Sequence, residues 1–331
     1  MLDIYFKKEY GLLCELMSDG RCEIFEYKSD AGHIRNMFIK REIPWLVDGK
    51  RYYDISTPYG YGGPIILSCT DREDLLSGYE SAFEAYCAEQ NIVCEFVRFH
   101  TIYRNYEDFS GIYKPEFSRL TVATDLESFD DPVQQEFSKS ARKEVRKAEA
   151  AGVTCSCHYQ PDDLHIFRQL YEETMDRNNA DKMYYFPDSY YEFLETRLSP
   201  YILEVRASYN NVVIGSEIYF CAGDILHAHL LGSGAKLLEL NGGALIEASA
   251  ARWGKENGYR FIHHGGGRTS APDDALYLYK KKFGKHTEPE FHVGKKIWNQ
   301  AAFDRIVQDC GVDTDTAYFP PYRSVQRTEE D

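Results

Sequence analysis

Ile202-Leu203-Glu204-Val205-Arg206, Val212-Val213-Ile214-Gly215-Ser216-Glu217-Ile218-Tyr219-Phe220 and Ile225-Leu226-His227-Ala228-His229-Leu230 read as three successive strands. Asn210-Asn211 and Gly223-Asp224 between them are turn sequences, so the stretch predicts an antiparallel meander. Asn241-Gly242-Gly243 then opens a helix that runs to Trp253. Tyr259-Arg260-Phe261-Ile262 returns as a strand and enters His263-His264-Gly265-Gly266-Gly267.

The same order occurs earlier in the chain. Cys22–Tyr27 and Arg35–Lys40 read as strands, and Tyr52-Tyr53-Asp54-Ile55 runs into Ser56-Thr57-Pro58-Tyr59-Gly60-Tyr61-Gly62-Gly63-Pro64. Asp71 to Gln90 has helical periodicity through Leu75, Leu76, Tyr79, Phe83 and Tyr86-Cys87, with Thr70 as the expected N-cap. Ile92–Phe99 follows as a strand. Leu120–Thr124 reads as a further strand, and Ser128-Phe129-Asp130-Asp131-Pro132 is turn-like. A basic helix, Lys139–Glu149, ends at Gly152, and Leu164–Asp176 and Ser189–Leu198 are helical. The expectation is an α/β (α+β) chain of two tandem domains, each a mixed, mostly antiparallel sheet flanked by helices. The first covers 1–130 and the second 131–300. A segment over 301–331, acidic and Pro/Tyr-containing after Gly311, is expected either to pack back on the first or to be partly loose.

Composition narrows the function classes. A chain of 331 residues suits two domains. The balance of 38 basic against 53 acidic residues gives −15, which excludes a broad basic face for DNA. No apolar run is long enough to span a membrane. The opening Met1-Leu2-Asp3-Ile4-Tyr5-Phe6-Lys7-Lys8-Glu9 mixes charge into its first turn instead of forming a leader, and the expectation is a cytoplasmic protein. The nine cysteines are scattered in apolar surroundings, as buried thiols in a reducing compartment would be. In Cys155-Ser156-Cys157-His158 one residue separates the thiols, as on one face of a strand, and no metal site is expected. Aromatics reach 15%, with 26 tyrosines. Ordinary packing accounts for most of them, and the rest suit a cleft for an extended polar ligand.

Four stretches in order resemble the FemABX family of peptidoglycan-bridge aminoacyltransferases and its wider relatives in the GNAT superfamily. They are Tyr59-Gly60-Tyr61-Gly62-Gly63-Pro64, then Leu126 through Ser140-Ala141-Arg142-Lys143-Glu144-Val145-Arg146-Lys147-Ala148, then Ile262-His263-His264-Gly265-Gly266-Gly267-Arg268, and finally Asp273-Asp274-Ala275-Leu276-Tyr277-Leu278-Tyr279-Lys280-Lys281-Lys282-Phe283-Gly284. Together they cover about residues 50 to 290. The long helical-hairpin arm of some members is missing. His263-His264-Gly265-Gly266-Gly267 departs from the D-x-G-G form of the bridge enzymes and looks more like relatives that modify surface polysaccharides.

The resemblance implies two GNAT-like domains and transfer of an aminoacyl or acyl group to an amine. Lys280 matches the family's lysine after the aromatic, where an ammonium would stabilise an oxyanion or a phosphate leaving group. Arg177, Lys182, Tyr185 and Tyr190 fall where the family binds acceptor phosphates, and Tyr61 and Gly62 lie in its first-domain turn. Asn241, Gly242 and Gly243, with Arg142 and Arg146, are the expected donor-binding residues, because N–H groups at a helix N-terminus hold anions. Asn-Gly-Gly is equally a plain turn. His263 and His264 face opposite ways, so one lines the cleft and the other is buried, and which is which is open; a cleft-lining histidine, with His263 as the candidate, would take the amine proton, the alternative being a structural histidine. Asp274 either positions the acceptor amine or caps the helix starting near Ala275. His227 and His229 share a strand face as cleft lining or packing.

No cofactor is expected to be tightly bound. The co-substrate is acyl-CoA or aminoacyl-tRNA, with a local groove of Arg142, Lys143, Arg146, Lys147 and Lys280–Lys282 for a tRNA acceptor end. The acceptor is a small-molecule or lipid-linked envelope precursor, either a peptidoglycan precursor or a surface polysaccharide sugar. No acyl-enzyme signature is present, so transfer is direct. The alternative is a non-catalytic GNAT-like binding module for a sugar-phosphate ligand or a protein partner.

Overall fold

Strand pairing sorts the chain into two units, seen in a computed structural model that describes residues 2–47, 49–312, 316 and 318–324. The first unit is Tyr10–Ser118 with Phe291–Asp331, and the second is Met1–Glu9 with Arg119–Glu290. The units exchange at 118/119 and 290/291, whereas the sequence-based partition puts the boundaries at 130/131 and 300/301.

In the first sheet β1 (Gly20–Ser29), β2 (Gly32–Glu42), β3 (Tyr53–Ser56), β4 (Ile65–Cys69), β5 (Ile92–Arg98) and β6 (Glu116–Leu120) are joined by β13 (Glu290–Ile297). The order is β1-β2-β3-β5-β13-β6, and β4 pairs with β2. β3 and β5 run parallel, and the Arg72–Glu89 helix crosses between them. Leu75, Tyr79, Phe83 and Cys87 recur at helical spacing and are all buried, which is why this helix lies on the sheet. Its N-cap is Asp71, whose carboxylate accepts from Asp74 N; the expected cap, Thr70, instead donates its hydroxyl to Asp30 O at 2.8 Å. One residue of register decides the difference, and both side chains can cap. The Gln300–Cys310 helix and Pro321–Arg323 also belong to this unit, where Arg323 donates to Asp54 Oδ2 at 2.8 Å and to Glu42 O at 2.7 Å. The rest of the acidic tail, residues 313–315, 317 and 325–331, lies outside the described residues.

The second sheet contains β7 (Val122–Asp125), β8 (Thr154–Tyr159), β9 (Ile202–Tyr209), β10 (Val212–Ala222), β11 (Ile225–Ser233) and β12 (Phe261–Gly265), in the order β7-β12-β11-β10-β9-β8. β9, β10 and β11 form the antiparallel meander. The Gly242–Glu256 helix then returns the chain to β12, parallel to β11. Leu203, Val205, Tyr219, Leu226, Ile246, Ala250 and Ile262 close the core between helix and sheet. Cys155 and Cys157 pack against that core from one face of β8, while Thr154 and Ser156, alternating with them, face solvent. None of the nine cysteines is in a disulfide. The Lys139–Ala150 helix buries Ala141, Val145 and Ala148 and turns its charges outward.

Pairing of β11 with β12 is short. Ile225–His227 meet Phe261–His263, yet β11 continues beside β10 to Ser233. The two parallel strands therefore part after His227 and His263. Each unit is thus a mixed, mainly antiparallel sheet flanked by helices. Among the described residues, no helix is long and apolar enough to cross a membrane.

Candidate active site

The point where β11 and β12 part is furnished by four elements of the second unit. β12 delivers His264 and then bends at Gly265, whose φ of 76° is the left-handed conformation glycine adopts without strain. The carbonyl of Gly266 accepts a 2.8 Å hydrogen bond from Lys280 Nζ, which comes from the end of the Ala275–Lys280 helix. Burial of the ammonium lowers the Lys280 pKa to about 8, against the opposing pull of Glu247, Glu217 and Asp274.

Glu217 of β10 and Glu247 of the Gly242–Glu256 helix are each 6% exposed. Burial raises both, Glu247 to about 7, and the charge of Glu247 raises Glu217 further. Tyr219 donates its hydroxyl to Glu247 Oε2 at 3.1 Å. The hydrogen-bond directions around His264 are fixed by Thr124. That hydroxyl donates to Phe283 O at 2.8 Å, so it accepts from His264 Nε2–H, also at 2.8 Å. His264 Nδ1 is left as a lone pair 3.5 Å from Glu247 Oε2, with no hydrogen bond of its own. Burial, with the Lys280 charge, lowers the His264 pKa to about 3, so the ring is neutral.

The Asn241-Gly242-Gly243 turn sits beside this cluster. Asn241 is left-handed (φ 58°) and starts the Gly242–Glu256 helix without a side-chain cap. A Cβ on Gly242 would lie 2.4 Å from Leu237 Cδ1, and one on Gly243 would lie 3.3 Å from Tyr279 Oη. The glycines therefore bring the Tyr279 hydroxyl over the start of the helix. The Glu247 carboxyl comes from a position one turn further along the same helix.

Several expected site residues have other placements. His263 faces away from this cluster: its Nε2 meets Thr121 Oγ1 at 3.0 Å, and its ring abuts His227 at 5.4 Å. The histidine that meets Glu247 is His264, because neighbouring strand residues point to opposite faces. Asp274 is the N-cap of the Ala275–Lys280 helix, accepting from Leu276 N and Tyr277 N through one oxygen and from Thr269 N and Oγ1 through the other. These N–H donors hold its pKa at about 2. Of its two sequence readings, the structure gives the cap.

Arg177 forks onto Ser233 O and Oγ, both at 2.8 Å, and so ties its helix to the end of β11. Tyr190 is buried, with its hydroxyl 2.6 Å from His229 Nε2 and its ring stacked on Phe186 at 4.1 Å. Tyr185 is exposed and donates to Asp176 at 2.8 Å, and Lys182 is exposed. Arg142 donates to the carbonyls of Gln134 and Phe137 at 2.6 and 2.8 Å, whereas Arg146 is exposed. Tyr61 and Gly62 belong to the first unit, where Gly62 O accepts from Asn105 Nδ2 at 2.8 Å and the Tyr61 ring meets Phe291 edge-on at 5.2 Å.

The sequence reading missed Glu217 and Glu247. A signal existed: each is a lone acid inside an apolar run, Gly215-Ser216-Glu217-Ile218-Tyr219-Phe220 and Ala244-Leu245-Ile246-Glu247-Ala248, at a position whose neighbours are core.

The FemAB family model matches residues 105–200 of the chain. Among solved structures, FemX aligns with a TM-score of 0.68 at 12% identity, covering 91% of this chain and 94% of FemX. The C-terminal domain of a putative lysylphosphatidylglycerol synthetase from Agrobacterium fabrum gives 0.57 at 11% identity, with 91% of each chain covered. L-PGS from Bacillus licheniformis gives 0.56 at 13% identity, with 89% of each covered. No curated protein matches the chain at the sequence level. The protein therefore has a fold similar to that of FemX, built of two sheet-and-helix units. Family match and fold together support an aminoacyl- or acyltransferase in general.

Proposed function

We propose that this protein transfers an aminoacyl or acyl group from an activated ester or thioester directly to an amino group of a cell-envelope precursor. The observation that carries this reading is the Lys280 ammonium, largely removed from water and anchored on Gly266 O where β11 and β12 part. A cation fixed in a site of low polarity stabilises the oxyanion that forms when an amine attacks a carbonyl. The start of the Gly242–Glu256 helix, without a side-chain cap, offers N–H groups to the donor's anionic part.

Direct attack fits the thiols. Burial raises Cys155 and Cys157 to about 11 and Cys221 to about 12, which leaves them protonated and unreactive at neutral pH. Lys143, Arg146 and Lys147 form an exposed basic stretch on the Lys139–Ala150 helix that suits the phosphates of a tRNA acceptor end. The acceptor in this reading is a small or lipid-linked precursor of peptidoglycan or of a surface polysaccharide, modified in the cytoplasm. Free thiols support that compartment.

The test is transfer of labelled amino acid from aminoacyl-tRNA, compared with transfer of a labelled acyl group from acyl-CoA, onto amino-sugar and peptidoglycan precursors. Protein-dependent amide formation from one donor class is the expected result. Tight binding of a precursor with no transfer from either donor would mark a binding module.

A further inference from the structure

Glu247 stands out among the buried ionisable groups because the hydrogen-bond directions around it leave a proton to be placed. Thr124 spends its one proton on Phe283 O, so His264 must carry its hydrogen on Nε2 and present a bare Nδ1. That lone pair faces Glu247 Oε2 at 3.5 Å. Two bare acceptors facing each other in a dry site repel, and one proton between them removes the conflict. The other groups facing Glu247 are Tyr219 and Glu217 from β10, and Lys280 and Tyr279 from the helix after the glycine run; Glu144 stands behind Tyr279.

Resting on the transferase reading, we propose that Glu247 is the proton-exchanging group of this cleft: it takes the proton that the acceptor nitrogen loses and returns it to the leaving group. In that step the nitrogen–carbonyl carbon bond forms and the C–O or C–S bond of the ester or thioester donor breaks. The nitrogen's proton passes to the Glu247 carboxylate and then to the leaving oxygen or sulfur, so charge and protons balance. Lys280 keeps its own proton throughout and holds the oxyanion. Glu217 stays protonated beside ionised Glu247, since two close buried carboxylates do not both ionise. A carboxyl poised near neutrality can run the exchange in both directions.

The experiment pairs an activity-independent readout with a kinetic one on the full chain. Glu95 of β5 is also buried and raised to about 7, so the titration is run in a Glu95→Gln background. Difference infrared spectroscopy of that apo protein, titrated across neutrality, is expected to show a protonated carboxyl that ionises near pH 7, and adding Glu247→Gln is expected to remove that signal. Glu217→Gln mimics the protonated acid and is expected to leave the midpoint in place, which keeps the assignment testable if Glu247→Gln folds poorly. In transfer assays Glu247→Gln is expected to lose about 10²–10⁴-fold in turnover, together with the acidic limb of the pH profile. Absence of any carboxyl titrating near neutrality in the Glu95→Gln background overturns the proposal. So does a folded Glu247→Gln protein with the wild-type rate and acidic limb. A carboxyl that titrates as expected in a protein inert toward both donor classes supports the proton-exchanging site and refutes the transferase reading.

Discussion

Lys280 Nζ and Gly266 O are joined by a 2.8 Å hydrogen bond, which fastens the end of the Ala275–Lys280 helix to the glycine run leaving β12. This bond fixes a cation at the place where the parallel strand pair opens. Gly267 belongs to the same fastening, because a Cβ there would lie 2.4 Å from Asp274 Oδ1. The cluster is held by packing and capping, and its buried charges oppose the fold.

That opposition is measurable. Glu247 is raised from an ordinary 4.5 to about 7, so between those values the folded chain holds more protons than the unfolded one. Stability from this group therefore falls as pH rises through that window. Glu247→Gln is expected to raise the melting temperature above pH 7 and to match wild type below about pH 4.5. Lys280 is lowered from 10.5 to about 8, so the unfolded chain holds more protons between these values and stability rises with pH there. Melting curves across pH check both signs, and a Glu247→Gln protein less stable than wild type above pH 7 would contradict the first.

The turn before the long helix gives a backbone prediction. Asn241 is left-handed at φ 58°, which Asn and Gly adopt readily and β-branched residues do not. Asn241→Gly is expected to be near neutral, whereas Asn241→Val costs about 1–2 kcal/mol in denaturant unfolding. Equal destabilisation by both would show that the Asn side chain, not its backbone, matters.

Arg177 separates an architectural role from a binding one. Both of its hydrogen bonds go to Ser233, in the segment that follows the parting of the strands. Arg177→Ala is expected to cost about 1–3 kcal/mol of stability, and Arg177→Lys to recover little, because an ammonium cannot fork. A variant of unchanged stability with a raised KM for the acceptor would return Arg177 to the phosphate-binding role that the family resemblance implies.

What the sequence made legible was periodic. Apolar runs in β9–β11, turn residues at Asn210-Asn211 and Gly223-Asp224, and the spacing of Leu75, Tyr79, Phe83 and Cys87 all announced elements that formed, because local pattern and core burial agree there. The helix start at Asn241-Gly242-Gly243 was legible for the same reason, as glycines before a periodic segment. What stayed hidden depends on which way a side chain faces. His263 and His264 differ by one residue and hence by one face of β12, and only the pairing with β7 and β11 says which face holds Glu247. Asp274 was ambiguous because capping and catalysis use the same carboxylate. Glu217 and Glu247 were missed because periodicity marks the elements they lie on, while only the fold shows that both carboxyls are buried against each other.

Asp274 also gives a prediction. It accepts two N–H groups of the Ala275–Lys280 helix and binds Thr269 twice. Its pKa of about 2 means that this capping is present above the ordinary value of 3.8 and is lost as pH falls through 2. Asp274→Ala is expected to lower the melting temperature at neutral pH, and Asp274→Asn to recover part of the loss because an amide oxygen still caps. If neither variant shifts the melting temperature and both abolish transfer, the carboxylate acts on substrate instead.

The central claim is that a half-buried ammonium at position 280, anchored on Gly266 O, drives transfer to an amine. Single-turnover transfer to an amino acceptor, measured for wild type and Lys280→Ala with donor at saturation, tests it most directly. The account predicts a loss of about 10²–10³-fold in Lys280→Ala with the melting curve still cooperative. A folded Lys280→Ala protein that transfers at the wild-type rate would contradict it.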